Sequence, residues 1–425
     1  MNKSTISEKS IAGREECGSA GQHQGAAMKK GWAWKPLGEV CKTGSGGTPL
    51  SSRKEYYEGG NIPWLLSGEV AQGNVREAKN FITKTGLENS AAKLFPKDTV
   101  LVAMYGATAG QVGILRFEAA TNQAVCGILP NGNFVPEFLF YFLLAKKDDL
   151  VAQATGNAQP NISQIKIKET EVPVPPLAEQ QRIVGLLDEA FEGLATAKAN
   201  AEKNLQNARA LFESHLQSVF TQRGQGWVET TLEGIADSDC SLSYGIVQPG
   251  EEFGEGMPIV RPTDLTTKVI RLTGLKRIDP KLAGGYKRTS LQGGELLLCV
   301  RGSTGVVSIA SPELAGANVT RGIVPIRFNR SLLLPEFGFY LISGGPVQSQ
   351  IREKTYGTAL MQINIRDLRL ISLSIPPLKE QKAIAAKLHS LHEETQRLAR
   401  LYERKLAALA ALKKSLLHQA FTGQL

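Results

Sequence analysis

The hydrophobic positions of this chain fall into three patterns. The first is a short apolar run ending at glycine: TVLVAMYG over 99–106 and ELLLCVRG over 295–302. Runs of this kind predict strands buried on both faces. The second is a proline followed by apolar helical spacing, VPEFLFYFLLAKKDDLVAQATG (135–156) and LPEFGFYLISGGPVQSQIREKTYG (334–357), each read as a pair of helices. The third is a long run whose apolar residues step alternately by four and three. It holds Ile183, Leu187, Ala190, Leu194, Ala197, Ala201, Asn204, Ala208 and Leu211. A second run has the same steps: Ile384, Leu388, Leu391, Thr395, Leu398, Tyr402, Lys405, Leu409 and Leu412. That spacing is the seam of a coiled coil, with small Ala on one helix facing larger Leu and Tyr on the other. Asn204 and Lys405 are read as polar interruptions that fix register. Each run covers roughly 40 residues, about 60 Å of helix. The other reading is that each helix packs separately on its own domain.

Both long runs start after the same words, PPLAEQQRIVGLLDE at 175–189 and PPLKEQKAIAAKLHS at 376–390. Pro-Pro cannot lie inside a helix and fits just before one. The offset of 201 holds upstream, where Gly156, Ala158 and Ile162 match Gly357, Ala359 and Ile363. It holds downstream too, where Phe220 and Thr221 match Phe421 and Thr422. Earlier parts of the halves agree in outline: NIPWLLSGEV (61–70) answers to GMPIVRPTDL (256–265), and YGATAGQVGI (105–114) to RGSTGVVSIA (301–310). A period near 200 is a duplicated two-part unit rather than a solenoid repeat. The expected partition is a disordered polar leader at 1–28, with Met28 as an alternative start. A β-rich domain over 29–175 and a helix over 176–222 follow, then a second domain over 223–376 and a second helix over 377–425.

Composition adds limits. Of the 425 residues, 42% are hydrophobic and 21% charged, which describes a globular chain with no membrane span. Net charge is +9, which suits a polyanionic partner without naming one. The five cysteines are scattered with no CxxC, and are read as structural thiols. His389 and His392 lack an evident third metal ligand. No GxxxxGK[ST], no Gly-rich fingerprint for S-adenosylmethionine and no amino-methyltransferase tetrapeptide occurs. GSTG (302–305) and GATAG (106–110) resemble phosphate-cradling loops but read better as strand turns.

Two unlike domains, each followed by PPLxEQxxI and a long helix, with LKKSLLHQAFTGQL closing the chain, resemble the specificity subunits of type I restriction–modification systems. WKPLGEV and YYEGGNIPWLLSGEV also resemble an amino-terminal recognition domain of that family. The resemblance covers residues 29–425. It implies an α+β fold of two pseudo-two-fold-related target recognition domains separated by a long antiparallel two-helix coiled coil. Each domain would read one half of a split site on double-stranded DNA. The helices would set the spacer and recruit two methyltransferase (M) subunits, with restriction (R) subunits joining later. The chain itself would be a non-catalytic cytoplasmic protein without cofactor, S-adenosylmethionine, ATP and Mg belonging to the partners. Half-sites should then lie about one helical turn, on the order of 10 bp, apart.

Candidate DNA contacts follow from residue type. Lys42, Thr43, Ser45, Thr48, Arg53 and Lys54 lie in the Gly-rich stretch KTGSGGTPLSSRK (42–54). In the second half, SYGIVQPG (243–250) offers Ser243, Tyr244 and Gln248, and a basic stretch (268–288) offers Lys287 and Arg288. Arg301 stands at a strand end, with Arg321 a weaker candidate. Arg pairs bidentately with guanine, and Gly permits close approach to phosphate. Trp64 and Trp227 are read as core anchors. The competing function is a coiled-coil adaptor that reads no DNA; a self-sufficient methyltransferase is disfavoured by the missing motifs.

Overall fold

The computed structural model describes residues 32–154, 161–240 and 242–425. The leader at 1–28, with Cys17, and the matched positions Gly156 and Ala158 lie outside the described residues. The described chain divides into two units. Unit 1 comprises the described residues up to Lys198 together with Ala407–Leu425, and unit 2 comprises Ala199–Leu406.

Unit 1 begins with β1 (Ala33–Pro36), α1 (Leu37–Val40), β2 (Thr43–Ser45), β3 (Ile62–Leu65), β4 (Asn74–Val75), β5 (Asn80–Ile82), α2 (Lys84–Glu88) and β6 (Leu94–Phe95). It continues with β7 (Val100–Ala103), β8 (Val112–Leu115), β9 (Ala119–Thr121), β10 (Val125–Ile128), α3 (Pro136–Ala145), α4 (Lys147–Ala152), α5 (Gln164–Glu169), β11 (Glu171–Val174) and the start of α6 (Leu177–Thr221). Two sheets form, in the orders β2-β10-β7-β8-β4 and β5-β3-β9-β6, and β1 pairs antiparallel with β11. Strand β7 shows why its sequence is continuously apolar. Alternate side chains point to opposite faces: Val100 and Val102 join the core beneath α3, while Leu101 and Ala103 join a second core with Leu65, Val70 and Val125.

Unit 2 repeats the plan. Its strands are β12 (Val228–Thr231), β13 (Met257–Val260), β14 (Val269–Ile270), β15 (Lys276–Ile278), β16 (Leu296–Cys299), β17 (Val307–Ala310), β18 (Asn318–Val319), β19 (Ile323–Ile326) and β20 (Ser372–Ile375). Its helices are α7 (Pro335–Ser343), α8 (Gly345–Lys354), α9 (Ile365–Arg369) and most of α10 (Leu378–Thr422). The sheets run β14-β17-β16-β19 and β15-β13-β18, with β12 paired to β20. GATAG and GSTG lie in the β7–β8 and β16–β17 connections, as strand turns.

In unit 1 the beginning of α6 meets the end of α10: Ile183, Leu187, Leu417, Ala420 and Phe421 share one core with Phe138 and Phe142 of α3. The Phe421 ring lies 5.2 Å from Phe138 and 5.4 Å from Phe142. In unit 2 the roles reverse, with Leu216 and Phe220 of α6 against Ala385 and Leu388 of α10. The helices therefore run antiparallel along each other, and Arg209 of α6 pairs with Glu403 of α10 at 2.8 Å. This explains the repeated Phe-Thr near both helix ends: each Phe plugs the core beneath a Pro-started helix.

The seam departs from strict heptads. Ile183, Leu187, Ala201, Ala208 and Leu388 are buried, and Leu194, Ile384, Leu391, Leu398, Tyr402 and Leu409 are half-buried. Leu211 and Leu412, expected in the seam, are instead 53% and 47% exposed. Asn204 and Lys405 are exposed as well, and Leu205, Leu406 and Phe212 turn inward instead. A straight α-helix drifts about 20° per heptad away from a 3.5-residue repeat. Across the four heptads from 183 to 211 that drift reaches about 80°, enough to carry a heptad position off the buried face. The buried positions follow 3.6 residues per turn.

Candidate nucleic-acid interface

In each unit, four strand ends and their loops converge, and the same backbone hydrogen bonds hold them. Asn122 N donates to Leu65 O at 2.9 Å, as Thr320 N does to Val260 O at 2.9 Å. Gly47 N reaches Thr121 O at 2.9 Å, and Ile246 N reaches Val319 O at 2.8 Å. Met104 N donates to Ala124 O and Val300 N to Gly322 O, both at 2.8 Å. Ile162 N then meets Met104 O at 2.9 Å, and Ile363 N meets Val300 O at 3.1 Å. The loop after β2 must pass so close that only glycine fits. A Cβ on Gly46 would sit 2.2 Å from Thr121 O, and one on Gly245 would sit 2.0 Å from Val319 O.

These bonds equate positions that the amino-acid sequence aligns only loosely. Ser45 corresponds to Tyr244, Tyr105 to Arg301, Asn122 to Thr320, and Gln123 to Arg321. The equated side chains include several unmet polar atoms. Asn122 Oδ1, Thr320 Oγ1 and Arg301 Nε are buried without a hydrogen-bond partner, as is the adjacent Thr121 Oγ1. Buried polar atoms are nearly always satisfied, so a cluster of exceptions at one place in both units marks a surface that an external polar group completes. In unit 2 the cluster is cationic. Tyr244 Oη donates to Ile363 O at 3.1 Å. Burial pushes its pKa up, while Arg321 and Arg301 lie near enough to pull it back.

The residues expected from sequence distribute unevenly around this frame. Lys42 is exposed beside β2. Thr43 and Ser45, on β2, are held by one amide: Gln164 Nε2 donates to Thr43 Oγ1 at 2.9 Å, and Ser45 Oγ donates to Gln164 Oε1 at 3.0 Å. Thr48 Oγ1 donates to Gln123 Oε1, which brings it to the frame. Arg53 and Lys54 are exposed and already paired, with Glu55 at 3.2 Å and Glu58 at 3.9 Å. Ser243 and Tyr244 precede Gly245, and Gln248 is exposed on the same loop. Lys287 and Arg288 are exposed on a short 3-10 turn. Tyr286 O accepts from Asn318 Nδ2 at 3.1 Å, tying that turn to β18. Arg301 follows β16 and forms a bridge with Gln362. The structure thus gathers Thr48, Tyr244, Arg301 and Arg321 into the two frames. It leaves Arg53 and Lys54 engaged with acids.

Sequence reasoning missed Tyr105, Asn122, Gln123 and Thr320, the last three because they lie in no basic or Gly-rich stretch. The usable signal was the alignment of YGATAG with RGSTG, whose first residues are Tyr105 and Arg301. Trp64 is a core residue whose Nε1 donates to Gly47 O at 3.0 Å, and Trp227 packs on Phe220.

Among the described residues no group of three or more His, Cys, Asp and Glu is placed to hold a metal. His392 meets Phe212 edge to face, with ring centroids 4.6 Å apart. The four described cysteines are buried free thiols, and burial pushes Cys126 up to about 12, which keeps it unreactive. No described helix is long and apolar enough to cross a membrane.

The type I restriction modification DNA specificity domain matches twice, over residues 29–205 and 225–403. The chain is 24% identical over 330 residues to the type I restriction enzyme EcoBI specificity subunit of Escherichia coli, covering 72% of this chain and 69% of that protein. It is 22% identical over 425 residues to the StySPI specificity subunit of Salmonella potsdam, covering 94% and 90%. Among solved structures, it resembles the HsdS subunit from Thermoanaerobacter tengcongensis with TM-score 0.60 at 20% identity, covering 94% of this chain and 98% of that one. A chain solved for complex assembly and conformational transition of the type I R-M system matches with TM-score 0.75 at 21% identity, covering 94% and 99%. The chain belongs to the type I restriction modification DNA specificity family, as a DNA sequence-specificity subunit with two recognition domains.

Proposed function

We propose that each unit reads one half of a bipartite double-stranded DNA site through its frame of converging strand ends. The observation that carries this is the recurrence, at equivalent positions of both units, of buried side-chain atoms with no partner in the chain. Exposed Lys42, Lys287 and Arg288 would add phosphate contacts that position the duplex without reading it. The α6–α10 pair fixes the spacer, with half-sites about 10 bp apart, centre to centre.

The same reading places catalysis on partners. Two methyltransferase subunits would carry S-adenosylmethionine and modify adenine, and restriction subunits would bring ATP and Mg. Support for two identical partners comes from exposed leucines at equivalent places in the repeats: Leu177 with Leu378, and Leu211 with Leu412. Isolated exposed leucines mean little, but pairs that recur in register fit one partner type binding twice. Work in the cytoplasm, where DNA and these partners meet, belongs to the same proposal.

The test is selection from random duplexes with the chain reconstituted with its methyltransferase subunit. Enrichment of a split motif with a fixed gap supports the reading. Retention of the methyltransferase with no enriched motif would instead favour the adaptor role.

A further inference from the structure

The two frames share a backbone and differ in chemistry. In unit 1 the equated positions carry Tyr105, Asn122 and Gln123, so the corner holds hydroxyl and amide groups. In unit 2 they carry Arg301, Thr320 and Arg321, so two guanidinium groups replace a phenol and an amide. We propose that this exchange sets which bases the two half-sites contain: Arg301 and Arg321 read guanine in the half-site of unit 2, and Asn122 reads adenine in the half-site of unit 1. This rests on the reading of both units as half-site readers.

Arg301 is half-buried and Arg321 exposed, whereas the half-buried Arg261 and Arg327 of unit 2 are engaged. Arg261 is gripped by Asp264 at 3.1 and 2.8 Å, and Arg327 lies 3.2 Å from Asp239 and 3.4 Å from Glu295. Neither Arg301 nor Arg321 forms an ion pair with a described carboxylate, and Arg301 Nε is buried without an acceptor. A half-buried cation with no acceptor is destabilising until something supplies one. Guanine presents O6 and N7 side by side in the major groove, which matches the planar fork of arginine. Both side chains are also held at their roots. Arg321 N donates to Ile246 O at 2.8 Å. Gly302 N, next to Arg301, donates to Met361 O at 2.8 Å. A Cβ on Gly322, beside Arg321, would lie 2.5 Å from Pro262 Cγ, so the corner cannot relax. Such fixed roots suit base reading, which needs register, more than phosphate contact, which tolerates mobile lysines.

In unit 1 the unmet atom is a carboxamide oxygen. The Asn122 amide sits on the same corner, with its N–H fixed to Leu65 O. An amide accepts from adenine N6 and donates to N7, the pairing that guanidinium cannot make. Gln123 beside it is already bonded to Thr48, which leaves Asn122 as the unpaired amide oxygen.

The test is the methylated motif written by the full chain with its methyltransferase subunits in a cell lacking other adenine methylation. Wild type, Arg301→Gln, Arg301→Lys, Arg321→Gln and Asn122→Ala are compared, and thermal unfolding checks that each variant folds. Losing one bidentate base contact should relax discrimination about 5- to 150-fold at one position. Arg301→Gln and Arg321→Gln should each relax a guanine in one half-site and leave the other half unchanged. Arg301→Lys, which keeps the charge but replaces the planar fork with one ammonium, should retain more of the guanine preference than Arg301→Gln. Asn122→Ala should relax an adenine in the opposite half. If Arg301→Gln keeps the wild-type motif, or if the arginine variants lower methylation equally at all sites, these residues contact phosphate and the inference is overturned. A folded, partner-bound wild type that writes no split motif refutes the half-site reading itself; an intact motif with unchanged variants refutes only this assignment.

Discussion

Gln180 and Gln381 are the least obvious members of the repeated PPLxEQ motif, and they allow a quantitative test. Both are fully buried. Gln180 Oε1 accepts from Val135 N at 2.8 Å, and its Nε2 donates to Asn133 O at 2.8 Å and Pro175 O at 2.9 Å. Gln381 does the same with Leu334 N at 2.9 Å and with Leu332 O and Pro376 O, both at 2.8 Å. One amide thus pins the start of each long helix to the segment that opens α3 or α7. It satisfies an N–H that no helical partner would reach. Replacing it by Met keeps similar length and removes all three bonds. An orphaned buried polar group costs about 1–3 kcal/mol. One of the three groups is enclosed and two are partly buried, so the total is about 4 kcal/mol. The prediction is that Gln180→Met and Gln381→Met each lower stability by about that amount, read from urea unfolding. Amide exchange should accelerate at Val135 in the first variant and at Leu334 in the second. Gln181→Met, at the exposed neighbour, should stay within about 0.5 kcal/mol. A loss below 1 kcal/mol in both buried variants would refute the clamp.

Three further outcomes are expected. His392 is held below its ordinary 6.5 by burial first, then by Lys268 and His389, with Glu393 opposing. A depressed histidine leaves the unfolded chain holding more protons, so its contribution is complete above about pH 6.5 and is lost as pH falls toward the folded value. His392→Phe, which copies Phe191 at the equivalent place in the first repeat, should flatten that limb of an unfolding-midpoint profile from pH 8 to 5. Asp98 has φ +68, where unit 2 has Gly294 at φ +91, and its carboxylate pairs with Arg116 at 3.0 Å. Asp98→Gly trades that pair for backbone relief and should fall within about 1 kcal/mol of wild type, whereas Asp98→Ala, losing the pair and keeping the strain, should cost about 1–2 kcal/mol more; the reverse order in thermal unfolding would show that the turn is not strained. Leu211→Glu with Leu412→Glu should leave the folded chain intact but weaken methyltransferase retention at least tenfold in co-purification and titration, because these leucines face solvent; unchanged retention would remove them from the docking surface.

Much of the fold was legible because the chain writes it twice. Pro-Pro, the 201-residue offset and the repeated Phe-Thr fixed both long helices and what they cap. The apolar strands 99–106 and 295–302 were readable because a strand buried on both faces has no polar positions to confuse it. The seam failed at Leu211 and Leu412, since strict heptads describe supercoiled helices and this pair keeps 3.6 residues per turn. The interface was the least legible part. Basic residues were sought in local stretches, but Arg53 and Lys54 lie beside the acids that engage them, and Thr43 and Ser45 are joined to Gln164, more than a hundred residues away. The frame is built from Leu65, Gly47, Met104 and Asn122, which come together through sheet pairing alone. No local pattern could name Asn122, whose significance is an oxygen left without a partner.

The central claim, that this chain selects a split DNA site, is tested most directly by a long-read methylome of the host with the chain intact and with it deleted. One bipartite adenine-methylated motif, with a constant gap between unlike halves, should vanish on deletion. An expressed, partner-bound chain whose deletion leaves every methylated motif unchanged would contradict it.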